Sequence, residues 1–286
     1  MSAIYRAFDQ ATLDHQYNAQ ATVGDISPFI DMYTEGSAAA RARLPFEEAL
    51  SFGASSEETL DLFPAGDGAP LLVFIHGGYW RALSKNESSF MAPCMETHGI
   101  ATAAVNYTLR PHATLDEIVA EVRRALAWLY QNSAAYGCDP ERIFVAGSSA
   151  GGHLAGMLVS RGWHDAFGVP EKIVKGGVLL SGLYDLEPIQ LCYANEWVGL
   201  DETSARRNSP LAYLPSVGCP LILSYGGSET NEFKRQSDDY AAAWRAAGFE
   251  ADCFEISHRN HFDIPLELAD PASVLTGKLF ELIATV

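Results

Sequence analysis

Short apolar runs alternate with helical segments from residue 71 to the end of the chain. Leu71–Ile75 is a continuous apolar run, which is typical of a strand buried on both faces. Ile100–Asn106 is a similar run, and further strands are expected at Arg142–Ala146, Val178–Ser181, Leu221–Tyr225 and Asp252–Ile256. Helices are expected at Thr114–Asn132, Ala150–Ser160, Ser237–Ala247 and Ala272–Ala284. This alternation predicts an α/β fold with a mostly parallel central sheet flanked by helices.

The part of the chain before residue 71 follows a different pattern. Phe46–Phe52 and Glu57–Phe63 read as two strands with only a polar turn between them, so we expect an antiparallel edge. Helical stretches are expected near Ser2–His15 and Ser37–Leu44. No stretch resembles an interdomain linker. We therefore interpret residues 1–286 as a single domain, with residues 1–45 as an N-terminal extension.

The charge balance restricts the partners that the chain can bind. It has 19 Lys and Arg against 36 Asp and Glu, a formal net charge of −17. This argues against nucleic acid and against anionic membranes, since both require a basic face. We expect a small-molecule substrate, and a homodimer is compatible with the sequence without being indicated by it.

The five cysteines are scattered and show no metal-ligand spacing. They indicate reduced thiols, no zinc site and no cofactor. The first residues resemble neither a secretory signal nor a membrane span. Together these features predict a cytoplasmic protein.

The segment from Arg142 to Gly151 carries the most specific chemical signal. An apolar strand runs into Gly147-Ser-Ser-Ala-Gly151 and a helix follows, which is the G-x-S-x-G pattern in the strand–turn–helix context that makes it a nucleophile elbow. Ser149 is the candidate nucleophile, and the N–H of Ala150 would face an oxyanion. Ser148 is the competing serine, but its side chain is expected to point away from the pocket.

A second signal follows the strand at Leu71–Ile75. Residues 76–80 read His-Gly-Gly-Tyr-Trp, and the two glycines allow the backbone to approach a substrate. We expect Gly77 and Gly78 to donate N–H groups to an oxyanion, in the manner of HGGG-type loops. Tyr79 and Trp80 form a substrate-binding wall or pack in the core, and the sequence favours neither.

Chain order narrows the choice of base and acid, because this fold is expected to present Ser, then a carboxylate, then His. The loop after the last strand carries His258 and His261, and His261 is preferred as the base. The loop after Leu221–Tyr225 carries Glu229 and Glu232, and Glu229 is preferred as the acid because it comes first.

With these segments assembled, the sequence resembles the α/β-hydrolase superfamily. It is most similar to the kynurenine formamidase (arylformamidase) branch, near the hormone-sensitive-lipase-type esterases. The segments that carry the resemblance are residues 76–80, Gly147–Leu154, Glu229–Gln236 and Asn260–Ile264. The family more often has Asp at the acid position, where this chain has Glu229.

The resemblance implies hydrolysis of N-formyl-L-kynurenine to L-kynurenine and formate. Residues 183–216 are expected to form a small cap insertion whose aromatic side chains enclose the substrate ring or pack on the sheet; they are Tyr184, Tyr193, Trp197 and Tyr213. A small-molecule carboxylesterase or another aryl-amide hydrolase is the close alternative. A non-catalytic α/β-hydrolase-fold binding protein is the remote one.

Overall fold

One eight-stranded sheet organises the computed structural model, which describes residues 3–286. The strands are β1 (Glu47–Ser51), β2 (Thr59–Phe63), β3 (Ala69–Ile75), β4 (Ala101–Val105), β5 (Cys138–Ser148), β6 (Val174–Leu180), β7 (Leu221–Gly226) and β8 (Ala251–Ile256). Their order across the sheet is β1-β2-β4-β3-β5-β6-β7-β8. Strands β3 to β8 pair in parallel, and β1 and β2 form an antiparallel edge. The predicted mostly parallel α/β-hydrolase sheet is confirmed.

Helices cover both faces of this sheet. They are α1 (Gln10–Gln16), α2 (Ser27–Arg43), α3 (Ala92–Thr97), α4 (Leu115–Asn132), α5 (Ala150–Leu158), α6 (His164–Phe167), α7 (Glu187–Leu191), α8 (Asn195–Val198), α9 (Glu202–Arg207), α10 (Asn231–Ala246) and α11 (Val274–Ala284). Alternate residues of β3 enter different cores. Val73 packs in the core that contains α4, α5 and α10, whereas Phe74 packs in the core that contains α3 and α11. This two-sided burial explains the continuous apolar runs.

Three elements differ from the sequence expectation. Helix α2 is much longer than the predicted Ser37–Leu44, and Pro28 lies in its first turn, where proline is favoured. Its buried face is only weakly apolar, so the spacing of apolar residues does not reveal its full length. Strand β5 begins at Cys138 rather than Arg142, and it includes Asp139-Pro140 as an irregular stretch in its pairing with β3. Helix α10 begins at Asn231 rather than Ser237. The sequence did not indicate this start, because the first turns bury polar side chains, and a polar segment is typical of a loop.

The first predicted helix is shorter in the structure than the sequence suggests. In the expected Ser2–His15 helix, Ser2 lies outside the described residues. Helix α1 begins only at Gln10, where the Asp9 carboxylate caps it by accepting from the Thr12 N–H. Within residues 3–286, no helix combines the length and the apolar character needed to cross a membrane.

The carboxyl ends of the parallel strands meet at one edge of the sheet. Strand β5 lies at the centre, between β3 and β6, and β7 and β8 follow on one side. The loops after these strands therefore converge above the middle of the sheet, where ligands bind in open α/β folds.

Candidate active site

The turn after β5 holds Ser149 in a strained conformation. Its φ of 57° lies in the left-handed region that non-glycine residues rarely adopt, and its N–H donates to the Leu180 carbonyl at 2.8 Å. A Cβ at Gly147 would collide with the Gly151 carbonyl, and a Cβ at Gly151 would collide with the Ile75 carbonyl. The glycines of the G-x-S-x-G pattern are thus required by close backbone approach.

A buried histidine–carboxylate pair stands on the loops after β7 and β8. His261 Nδ1 donates to Glu229 Oε2 at 2.7 Å, and both side chains are buried. The other carboxylate oxygen, Oε1, accepts from Ser181 Oγ and from the Gly226 N–H, each at 2.6 Å. Because Nδ1 carries the proton in this arrangement, Nε2 of His261 is left as the nitrogen that can accept one.

The rival acid and base lie elsewhere. Glu232 is 4% exposed and forms an ion pair with Arg235 at 2.6 Å, while its Oε2 also accepts from the Tyr17 hydroxyl at 2.9 Å. The His258 side chain is 70% exposed and stands 3.8 Å from Glu267. Of the carboxylates considered from the sequence, Glu229 is the one in contact with His261.

Ser149 and His261 line the same cavity, which has a volume of about 470 Å³. No hydrogen bond joins their side chains in the described part of the chain. Such bonds are often loose in unliganded sites and tighten when substrate binds. Ser148 also borders the cavity, although its side chain was expected to point away from it.

The loop after β3 approaches the Ser149 turn closely. A Cβ on Gly77 would lie 2.8 Å from the Ser148 carbonyl and 3.3 Å from Ser149 Cβ, so only glycine fits without displacement. The N–H groups of Gly77, Gly78 and Ala150 have no hydrogen-bond partner within residues 3–286. Gly77 and Gly78 line the cavity, and Ala150 opens helix α5 next to Ser149. These unpaired donors can stabilise an oxyanion.

Two aromatic neighbours brace this loop. The Tyr107 hydroxyl lies 3.0 Å from the His76 carbonyl and 3.2 Å from the Gly77 carbonyl, so it can donate to either, and its ring stacks on His76 at 4.2 Å. Burial lowers the pKa of His76 to about 4. His76 is therefore neutral at physiological pH, and a histidine with so low a pKa suits bracing of the loop better than a role as a base.

Trp80 does not line the cavity, so of the two roles considered from the sequence the structure places it in the core rather than in a substrate-binding wall. Its side chain is fully buried, and its indole N–H donates to His153 Nδ1 at 3.3 Å. A run of positive φ angles at Gly78, Tyr79 and Trp80 turns the chain so that Trp80 faces the core. Tyr79 does line the cavity, and its hydroxyl donates to the Tyr17 carbonyl at 2.7 Å.

The N-terminal extension contributes more residues to the cavity wall than the expected cap does, and the stretch from Phe74 to Phe90 contributes the most. Asn18, Gln20 and Tyr33 are among the lining residues, and the Tyr33 hydroxyl donates to the Phe262 carbonyl in the His261 loop. Segment 183–216 contributes only Tyr193 to the lining within the described chain. Tyr184 instead stacks on Tyr240 at 4.3 Å in the core.

Comparisons with known proteins identify relatives of the chain. The BD-FAE family profile matches residues 61–171. A crystal structure from Silicibacter sp. TM1040, provisionally assigned as a thioesterase, has a TM-score of 0.82 and 28% identity, covering 95% of this chain and 98% of that one. Kynurenine formamidase from Danio rerio is 34% identical over 242 residues, which is 82% of this chain and 80% of the relative. Kynurenine formamidase from Salmo salar is 31% identical over 287 residues, covering 97% and 95%.

The chain belongs to the kynurenine formamidase family. It is a hydrolase of the α/β-hydrolase fold. The sequence resemblance to the kynurenine formamidase branch is therefore confirmed.

Several residues around the site of this kynurenine formamidase family member were not predicted from the sequence. Ser181, at the end of β6, hydrogen-bonds Glu229, and its place at the same sheet edge was the available signal. Tyr17 contacts Tyr79 and Glu232 across more than 60 and 200 positions of sequence, for which no local signal exists. Arg81 lines the cavity directly after the aromatic pair.

Proposed function

We propose that the protein is a serine hydrolase that releases formate from N-formyl-L-kynurenine through an acyl-enzyme. The observation that carries the proposal is the His261–Glu229 bond of 2.7 Å on the cavity that also holds Ser149. The relatives of 31–34% identity that cover most of the chain support the substrate.

In this mechanism, Ser149 Oγ attacks the formyl carbonyl while His261 Nε2 takes its proton. Glu229 holds the imidazole and stabilises the imidazolium that forms. The N–H groups of Gly77, Gly78 and Ala150 stabilise the tetrahedral oxyanion. His261 then protonates the departing arylamine nitrogen, and the C–N bond breaks to leave formyl-Ser149. Water, deprotonated by His261, attacks this ester, and His261 returns the proton to Ser149 Oγ as the C–O bond breaks and formate leaves.

The cavity suits a flat aryl leaving group. A volume of about 470 Å³ lies in the range of small-molecule sites. Its wall includes the rings of Tyr79, Tyr193 and Phe262, which provide flat apolar surfaces for an aromatic ring. The acyl group of a formamide is a single carbon, so it requires little space beside Ser149.

Hydrolysis of small esters or thioesters is the second candidate. The same serine, histidine and oxyanion donors cleave such substrates, and the relative from Silicibacter is described as a thioesterase. A formamide demands more than an ester, because its poor amine leaving group must be protonated by His261 as the C–N bond breaks.

Covalent labelling tests the nucleophile. Wild-type protein is incubated with a fluorophosphonate and digested, and the adduct is located by mass spectrometry. We expect one adduct, on Ser149, and none in Ser149→Ala. Ser148→Ala is the matched control and should label as the wild type does. An adduct on Ser148, or no adduct, would contradict the assignment.

Steady-state kinetics tests the substrate. We expect kcat/KM for N-formyl-L-kynurenine to exceed that for p-nitrophenyl acetate and for a short acyl thioester. A formamide rate far below both ester rates would reject the formamidase and leave the esterase.

A further inference from the structure

The cavity contains one cation without an anionic partner. Arg81 and Glu87 are the two lining residues with a formal charge at neutral pH. Glu87 Oε2 already accepts from the N–H and Oγ of Ser84 at 2.9 Å each, in a local capping box. The Arg81 guanidinium, by contrast, forms neither a salt bridge nor a side-chain hydrogen bond within residues 3–286.

The position of Arg81 at the cavity distinguishes it from the other exposed arginines. Arg43, Arg161 and Arg206 are also exposed and form no salt bridge within the described residues, but none of them lines the cavity. Arg81 is therefore the arginine that presents free N–H donors to this space.

The Arg81 guanidinium is nevertheless held in place. Its Cζ lies 3.5 Å from the centre of the Trp197 ring, so the planar group rests on an aromatic face. The Trp197 indole in turn donates to the Tyr79 carbonyl at 3.3 Å, and the backbone N–H of Arg81 donates to the Gly78 carbonyl at 3.0 Å. Stacking occupies the face of the guanidinium and leaves its N–H edges for a ligand.

The same turn carries both the oxyanion donors and this cation. The backbone hydrogen bond just described joins Arg81 to Gly78, so both residues belong to one tight turn. A ligand whose reacting carbonyl lies at Gly77 and Gly78 can therefore place a second, anionic group at Arg81. A carboxylate matches the guanidinium fork through two parallel hydrogen bonds.

We propose that Arg81, stacked on Trp197, is the subsite for the carboxylate of an amino-acid substrate. The proposal rests on the proposed function and deepens it, because it makes the enzyme selective for substrates that bear a carboxylate remote from the scissile bond. Arg81 contacts the substrate in its ground state and in its transition state alike, so it lowers KM and leaves kcat nearly unchanged.

The test compares two substrates that differ only in this carboxylate. N-formyl-L-kynurenine carries it, and N-formylkynuramine has hydrogen in its place. For Arg81→Gln we expect kcat/KM on N-formyl-L-kynurenine to fall about tenfold through KM, and kcat/KM on N-formylkynuramine to stay within about twofold. Arg81→Lys keeps the positive charge but loses the pair of parallel N–H donors, so its kcat/KM on N-formyl-L-kynurenine should lie between those of the wild type and Arg81→Gln.

Arg206→Gln provides the matched control. Arg206 is an exposed arginine of α9 that does not line the cavity, so the variant carries the same change of net charge. It should behave as the wild type with both substrates. An equal loss on both substrates in Arg81→Gln would mean a structural role, and no loss on either would mean an idle surface cation; both results overturn the proposal.

Binding of the product separates failure of the subsite from failure of the proposed function. Calorimetric titration with L-kynurenine and with kynuramine needs no catalysis. We expect the wild type to bind L-kynurenine more tightly, and Arg81→Gln to lose this preference. If the wild type does not hydrolyse the formamide but shows this preference, only the proposed reaction fails. If the formamide is hydrolysed and no preference is seen, only the subsite fails.

Discussion

Acidification should destabilise the protein through a buried histidine behind the active site. His153 is fully buried, its Nε2 donates to the Asn208 carbonyl at 2.7 Å, and its Nδ1 accepts from the Trp80 indole at 3.3 Å. Both ring nitrogens are thus occupied in the neutral form. A second proton on Nδ1 would face the indole N–H, so the charged form has neither water nor an acceptor there.

The size of the effect follows from the pKa. Burial lowers the pKa of His153 to about 4, against about 6.5 in the unfolded chain. Above pH 6.5 both states are neutral and the histidine contributes no pH dependence. As the pH falls from 6.5 towards 4, the unfolded state gains a proton that the folded state does not accept. At about pH 4.5 this costs about 2–3 kcal/mol of unfolding free energy.

Urea unfolding at about pH 7.5 and about pH 4.5 measures this cost. His153→Gln retains a donor and an acceptor but does not titrate. We expect its unfolding free energy to be lower than that of the wild type at the higher pH, but to fall about 2–3 kcal/mol less on acidification. His76, whose burial also lowers its pKa to about 4, adds the same dependence to both proteins and cancels in the comparison.

The exposed His112→Gln variant is the control and should follow the wild type at both values. An equal loss on acidification in the wild type and in His153→Gln would refute the reasoning.

Four further variants test the active site. Glu229→Gln should lower kcat about 10³–10⁴-fold in a formamide assay, because the amide neither holds the required imidazole tautomer nor stabilises the imidazolium, whereas Glu232→Gln should chiefly lower the melting temperature. Ser181→Ala should lower kcat about tenfold with little change in KM, because Glu229 Oε1 keeps only the Gly226 N–H. Gly77→Ala should lower kcat by about 10² or more, because the added Cβ displaces the loop from the Ser148 carbonyl.

Each of these predictions would be contradicted by a specific result. A loss of kcat by orders of magnitude in Glu232→Gln alone would transfer the acid role to that residue. A raised KM with unchanged kcat in Ser181→Ala would mean that Ser181 acts on substrate binding rather than on Glu229. Near-wild-type turnover in Gly77→Ala would remove the close-approach argument for that glycine.

The sheet and the strand-end residues were predictable because their signals are local. Continuous apolar runs indicate strands buried on both faces, and Ser149 and Glu229 follow such strands. His261 follows the last strand, which completes the expected chain order. Parallel strands carry their following loops to the same edge, so residues distant in sequence become neighbours without any further information.

The wall of the site was not predictable, because it depends on contacts between distant segments. The Tyr17 hydroxyl reaches Glu232, and Tyr33 reaches the Phe262 carbonyl, across more than 200 residues. The weak apolar stripe of α2 gives no indication that Ile30 and Tyr33 border a cavity. Likewise, the burial of Trp80 depends on three successive positive φ angles that only the folded turn reveals.

Residues 18–33 contribute to the cavity wall but not to the reacting groups, so substitutions there act on the shape of the cavity and not on the chemistry. The reacting groups depend on the register of the sheet, where small shifts are costly, whereas the segment before β1 is free of strand pairing. Substitutions at Asn18, Gln20 or Ile30 can therefore reshape the space offered to a leaving group while the machinery that breaks the bond stays intact. Residues 18–33 are therefore the positions to vary in a library when the aim is to accept a new substrate while keeping the same catalytic mechanism.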